Sequence, residues 1–168
     1  MGVPRIGWNK PTLSYSLIVY IHIYICNLHL IGRTLSTSVH NTALYRFGIG
    51  VDLVEIHRFE DQKNLLQLAT KILHPEELIQ FEISHSKASY TLAKKWAIKE
   101  ALVKALGTGF RKPFHAKNFI VSSDEKGKPQ ISYREDAASL IEDLGIKKSH
   151  VSLSDTASHV IAFVILEI

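Results

Sequence analysis

Between Lys94 and Gly109 the chain encodes a helix that must bury one side, present charge on another and stop at a defined point. Ile98, Ala101, Leu102 and Ala105 recur at the i, i+3, i+4, i+7 spacing of a buried stripe. Lys99, Glu100 and Lys104 lie off that stripe, with Glu100 and Lys104 one turn apart on the same side. Gly107 and Gly109 supply the stop and a mobile loop beyond it. The spacing predicts a helix from near Ser86 to Leu106. A carboxylate one turn from an ammonium is either a solvated helix face or part of a site that holds a divalent metal with a phosphate. The helix alone leaves both readings open.

Charge divides the chain sharply. No Asp or Glu precedes Asp52, whereas Arg5, Lys10, Arg33 and Arg46 all do. From Gly48 onward the basic residues balance all 16 acids, so the whole excess of +4 belongs to the leader. The basic pI is thus no argument for nucleic acid binding, which needs a basic face on the folded part. Residues 1–46 read as a leader outside the fold and residues 47–168 as one domain. Leu17 to Ile31 is apolar but interrupted by His22, Asn27 and His29, and is shorter than the roughly 20 residues that span a bilayer. Arg33 to Ser38 is hydroxyl-rich, arginine-bearing and acid-free, a composition similar to a mitochondrial transit peptide. Mitochondrial localisation is the expectation. A signal peptide, an anchor and an upstream start that the cell does not use remain open, the last implying the cytoplasm. The single cysteine, Cys26, lies in this leader, so the folded part has no disulfide, thiol nucleophile or thiolate metal site.

The expected fold class is α+β, an antiparallel sheet packed with a long central helix. Phe47, Ile49, Val51 and Leu53 alternate with Gly48, Gly50 and Asp52, predicting a strand with one apolar face. The small residues opposite suggest that a ligand approaches the backbone there. Helices are expected just after this strand around Val54 to Phe59, over Leu65 to Ile72, and from Pro75, where Glu76 and Glu77 suit a first turn. Asn118 to Ser122 and Gln130 to Tyr133 flank a turn at Asp124 to Pro129, a hairpin. Ala137, Leu140, Ile141 and Leu144 mark a helix closed by Gly145. Strands at His150 to Ser154 and His159 to Leu166 complete the chain.

Three segments carry a resemblance: Gly48 to Glu55 (GIGVDLVE), Trp96 to Gly109 (WAIKEALVKALGTG) and His150 to Ser154 (HVSLS). In this order they resemble the holo-acyl-carrier-protein synthases, the single-module branch of the 4′-phosphopantetheinyl transferases. Asp124 to Pro129 is similar to that family's hairpin. The resemblance runs from about Tyr45 to the C-terminus and implies one phosphopantetheinyl transferase module. It implies transfer of the phosphopantetheine arm of coenzyme A to a serine of an acyl carrier protein, a step in fatty acid biosynthesis, with release of adenosine 3′,5′-bisphosphate. Mg²⁺ is the implied cofactor, coenzyme A the co-substrate and a homotrimer with sites between subunits the implied assembly. Asp52 and Glu100 are then the metal ligands. Glu100 and Lys104 are the catalytic residues, and Lys104, Lys95 and Arg58 contact coenzyme A, Arg58 also meeting the carrier protein. Such an assignment is chemically apt, because Mg²⁺ takes one or two carboxylates plus substrate phosphates and water.

Simpler readings stand beside these. Asp52 with Glu55 also fits a capping box for the following helix. Glu100 and Lys104 also fit a surface pair, and Arg58 a solvated arginine. Glu55 would stand behind the metal ligands and not on the metal. Lys95 replaces the family's usual arginine, keeping charge without the bidentate fork. Trp96 replaces the usual phenylalanine and is expected to pack on the sheet. The clearest departure is Asp155, where the family carries histidine; neither His150 nor His159 is an evident substitute. An acid there puts coenzyme affinity and the proton route in question, so a relative that binds coenzyme A or carrier protein without turnover is the alternative.

Overall fold

The computed structural model describes residues 47–83, 87–134 and 136–168. The leader, Ser86 and the readings attached to them lie outside the described residues. Strand β1 (Phe47–Glu55) is followed by α1 (His57–Glu60), α2 (Leu65–Ile72), α3 (Pro75–Ile83) and the long α4 (Ala88–Ala105). The hairpin β2 (Phe119–Ser123) and β3 (Pro129–Tyr133), helix α5 (Asp136–Asp143), and strands β4 (Lys148–Asp155) and β5 (His159–Glu167) complete the order. The fold is α+β, as expected.

Both sheets are antiparallel. One has the order β1-β5-β4, with Asp52 opposite Ala162 and Leu153 opposite Ala162 from the other side. The other is β2 with β3 alone. The free edge of β2 is taken up by side chains. The Val121 N–H donates to Glu77 Oε1 at 3.0 Å, and the Val121 carbonyl accepts from Lys95 Nζ at 2.5 Å. Side chains thus occupy the positions that a further strand would need.

The faces of β1 are reversed from the sequence expectation. Phe47, Ile49 and Leu53 point outward, with Leu53 61 % exposed, while the glycine face is the buried one. What approaches the backbone there is helix α4, not a ligand. A Cβ on Gly50 would lie 1.9 Å from the Ala101 carbonyl oxygen and 2.6 Å from the Ala105 nitrogen. Only glycine permits that contact, and Ala101 and Ala105 are its small partners on the helix.

Because α4 runs through the middle of the molecule, more than one stripe of it is buried. Leu92, Ala93, Ala97, Ile98, Ala101, Leu102 and Val103 all join the core. Gly107 closes the helix at φ 69, its N–H bonding to the Lys104 carbonyl at 3.0 Å. Trp96 stacks on Phe110 in the loop beyond the helix, with ring centroids 5.2 Å apart, and is partly buried against the core.

Candidate functional site

Asp52 sits in the interior of β1 and not at a helix start, which overturns the capping reading. Strand β1 continues to Glu55, and α1, preceded by Ile56, is only four residues long with no side-chain cap. Asp52 is therefore free to face α4. There Lys104 Nζ donates to Asp52 Oδ1 at 2.7 Å. The Lys104 ammonium thus pairs across to the strand, and the plain surface pair expected from spacing is not what forms.

Glu100 lies on the same side of α4, half-buried and close enough to Asp52 for the two carboxylates to repel. Burial is the main cause that pushes the Glu100 carboxyl up to about 7, with the Asp52 charge adding to it and Lys104 and Arg58 opposing. Asp52 is also raised above its usual range by burial, with the Lys104 hydrogen bond pulling the other way. The positive charge of Arg58 on α1 acts on both carboxylates, favouring their ionised form. Four residues distant in sequence are thus brought together: Asp52, Arg58, Glu100 and Lys104. Two half-buried carboxylates, both raised by burial and Glu100 also by the charge of Asp52, suit a hard cation. Among the described residues no cluster of three or more His, Cys, Asp or Glu side chains could hold a metal. A cation here would draw its remaining oxygens from substrate and water.

Lys95 is not part of this group. Its ammonium lies 3.1 Å from Glu77 Oε1 and donates to the Val121 carbonyl, on another side of α4. It lines a separate cleft of about 850 Å³ bounded by α3, α4, the hairpin and the end of β4. Lys94, Tyr90 and Asp155 line the same cleft, whereas Asp52, Arg58, Glu100 and Lys104 do not. Asp155 is not left bare: it accepts from Tyr90 Oη and pairs with Lys94 Nζ at 2.8 Å. Those two contacts hold its carboxyl below the usual range. His150 pairs with Glu167 at 2.7 Å, and His159 contacts Ser158. Glu55 lies 3.7 Å from His57, paired away from the carboxylates.

Sequence reasoning missed Glu77. It is 2 % exposed and accepts from four donors: His74 N, Val121 N, Lys95 Nζ and Lys99 Nζ. Lys99 is wholly buried, and it also donates to the Ile72 carbonyl at 2.9 Å. Burial lowers its ammonium to about 8, opposed by Glu77. The signal was present in two places: a glutamate pair after Pro75, and Lys95 and Lys99 one turn apart on a helix that had to be buried.

The profile of the 4′-phosphopantetheinyl transferase superfamily matches residues 48–164. A holo-acyl-carrier-protein synthase of Photobacterium profundum is 42% identical over 122 residues, covering 71% of this chain and 96% of that protein. The crystal structure of the synthase from Neisseria meningitidis is 36% identical with a TM-score of 0.66, covering 72% of this chain and 98% of the other. A Bacillus anthracis synthase solved in complex with CoA (3′,5′-ADP) is 30% identical with a TM-score of 0.59, covering 71% and 95%. The chain belongs to the 4′-phosphopantetheinyl transferase superfamily, in its holo-acyl-carrier-protein synthase branch.

Proposed function

We propose that the chain transfers the 4′-phosphopantetheine arm of coenzyme A to a serine hydroxyl of an apo acyl carrier protein. The observation that carries this reading is the pairing of Asp52 with Glu100 beside Lys104 and Arg58, in a chain of this family. The serine hydroxyl gives up its proton to water, its oxygen forms a bond to the phosphorus that bears the pantetheine arm, and the bond from that phosphorus to the bridging oxygen breaks. Adenosine 3′,5′-bisphosphate leaves with the electron pair. Asp52 and Glu100 would hold Mg²⁺, which when bound offsets negative charge on the pyrophosphate oxygens. Lys104 supplies a point charge to the phosphate. Arg58, beside the pair, offers a cation to the coenzyme and to an acidic carrier-protein surface. Release of adenosine 3′,5′-bisphosphate from coenzyme A, dependent on both apo carrier protein and Mg²⁺, tests the reading. If the leader directs import, the mitochondrial carrier protein is the acceptor. The binding-only alternative turns on Asp155, which pairs with Lys94 in the cleft beside Lys95; coenzyme A bound without release of adenosine 3′,5′-bisphosphate would favour it.

Metal affinity should depend on pH with a definite sign. A carboxyl poised at about 7 must lose its proton to accept Mg²⁺. The affinity is therefore expected to fall about tenfold per unit as pH drops below 7, and to level off above it. Calorimetric titration with Mg²⁺ in buffers between pH 5.5 and 8.5 (about the span needed) reads this directly. A flat profile would remove Glu100 from the ligand set.

The active assembly is proposed to be a homotrimer. The outward face of β1 and β5 presents Phe47, Ile49, Leu53, Ile161 and Phe163, each at least 40 % exposed, as one apolar surface. Such a patch is characteristic of a face that meets another chain. Association would also bring the Lys95 cleft of one copy toward the carboxylates of another, so that residues separated within one chain serve one coenzyme. Light scattering should give three times the chain mass, and Phe163→Glu should give the mass of one. A monomeric wild-type protein would contradict the trimer.

A further inference from the structure

The cleft beside Lys95 carries a contact that neither the family nor the proposed reaction assigns. Three lysines, Lys87, Lys94 and Lys95, and three carboxylates, Glu76, Glu77 and Asp155, line it. The carboxylates differ in how firmly they are held. Glu77 is buried beneath four donors and cannot leave Lys95 without exposing all of them. Glu76 lies 3.7 Å from Arg134. Asp155 stands at the exposed end of β4, beside the turn into β5, with its side chain and that of Lys94 each 30 % exposed. Its carboxylate takes one donor from Tyr90 Oη and one from Lys94 Nζ, and the ammonium of Lys94 also sits 4.2 Å from the Tyr90 ring centroid. An ammonium and a phenol converging on one carboxylate make the donor set that a phosphate oxygen would use.

We propose that Asp155 is an internal anion that occupies the Lys94–Tyr90 donor pair and thereby sets a weak affinity of this cleft for the phosphate-bearing coenzyme. The inference rests on the reading of coenzyme A as co-substrate. The carboxylate competes by charge and by position: a phosphate reaching Lys94 must displace it or share the cation with it. Because the pair is partly in water, the exchange costs little and the effect on affinity is modest. Asp155 is an affinity-determining residue in this account and takes no part in bond making.

Calorimetric titration of the full chain with coenzyme A, without carrier protein, tests the idea in four proteins: wild type, Asp155→Asn, Lys94→Gln and the double variant. Asparagine keeps the shape of the side chain at an exposed strand end and can still accept from Tyr90, so the fold is retained; circular dichroism verifies it. Asp155→Asn is expected to tighten binding by about three- to tenfold, a gain that shrinks as salt rises. Lys94→Gln leaves Asp155 without its cation and weakens binding by a similar factor. The double variant returns close to wild type, which a purely structural role for either residue would not produce. Equal or weaker binding by Asp155→Asn, with coenzyme still bound by the wild type, overturns this inference alone. No binding by any of the four proteins overturns the coenzyme reading and this inference with it.

Discussion

Asp52→Asn and Glu100→Gln are each expected to slow carrier-protein modification by about a thousandfold, about 4 kcal/mol of lost transition-state stabilisation. The effect of Glu100→Gln on the unliganded fold should run the other way. The Glu100 carboxyl is pushed from 4.5 in the unfolded chain to about 7 in the folded one. The folded state then binds the proton more tightly, so this group's stabilising contribution is present below pH 4.5 and is lost as pH rises through 7. At pH 8 the native carboxylate is an ionised, desolvated burden beside Asp52. Glu100→Gln removes that burden and should raise the stability of the metal-free protein by about 1–3 kcal/mol. Activity lost while stability is gained is the mark of a group kept for chemistry. Urea unfolding at pH 8 without Mg²⁺, alongside initial rates with Mg²⁺, reads both quantities on the same variants. Glu100→Gln that is less stable and fully active would show the carboxylate to be structural.

Glu77→Leu should cost about 3–5 kcal/mol of stability, the largest loss expected from a single polar side chain in this fold. The change leaves the wholly buried Lys99 ammonium without its anion, strips Lys95 of its partner and orphans the N–H groups of His74 and Val121. The damage spreads across three elements, because the carboxylate ties α3 to α4 and to the edge of β2. Lys99→Met in the Glu77→Leu background is expected to recover part of the loss, since a buried charge with no partner is worse than an apolar side chain of similar length. Chemical unfolding of the single and double variants decides it. A loss below about 1 kcal/mol for Glu77→Leu would mean that water, and not this carboxylate, satisfies the two lysines.

Helix α4, the hairpin and the two final strands were legible because each is specified by local pattern. Gly107 closes α4, and Asp124 Oδ1 accepts from the N–H groups of Lys126 and Lys128 to shape the hairpin turn. Asp52 with Glu100 was legible through the family resemblance, and the structure brings the two together. What local pattern could not tell was direction. The alternation in β1 defines two faces, but which one is inside depends on a helix about fifty residues away that needs glycine for close approach. The same limit hid Glu77, whose partners Lys95, Lys99 and Val121 lie 18, 22 and 44 residues along the chain. Lys95, expected to contact coenzyme A, lies in a different cleft from the carboxylates, a separation set by its position around α4 and by its pairing with Glu77.

Asp155 marks where the resemblance and the chain diverge. From the sequence alone, an acid near a pyrophosphate reads as a defect. In the structure it is paired with Lys94 and accepts from Tyr90, in a cleft that Asp52 and Glu100 do not line.

The central claim is that this chain modifies a carrier protein, and the mass of the acceptor tests it most directly. The folded chain is incubated with apo acyl carrier protein, coenzyme A and Mg²⁺, and the intact carrier is weighed by mass spectrometry over time. The expected result is a gain of one phosphopantetheine on the acceptor serine, absent when the metal is chelated and absent from a carrier whose serine is replaced by alanine. A carrier of unchanged mass after hours with verified, folded protein would contradict it.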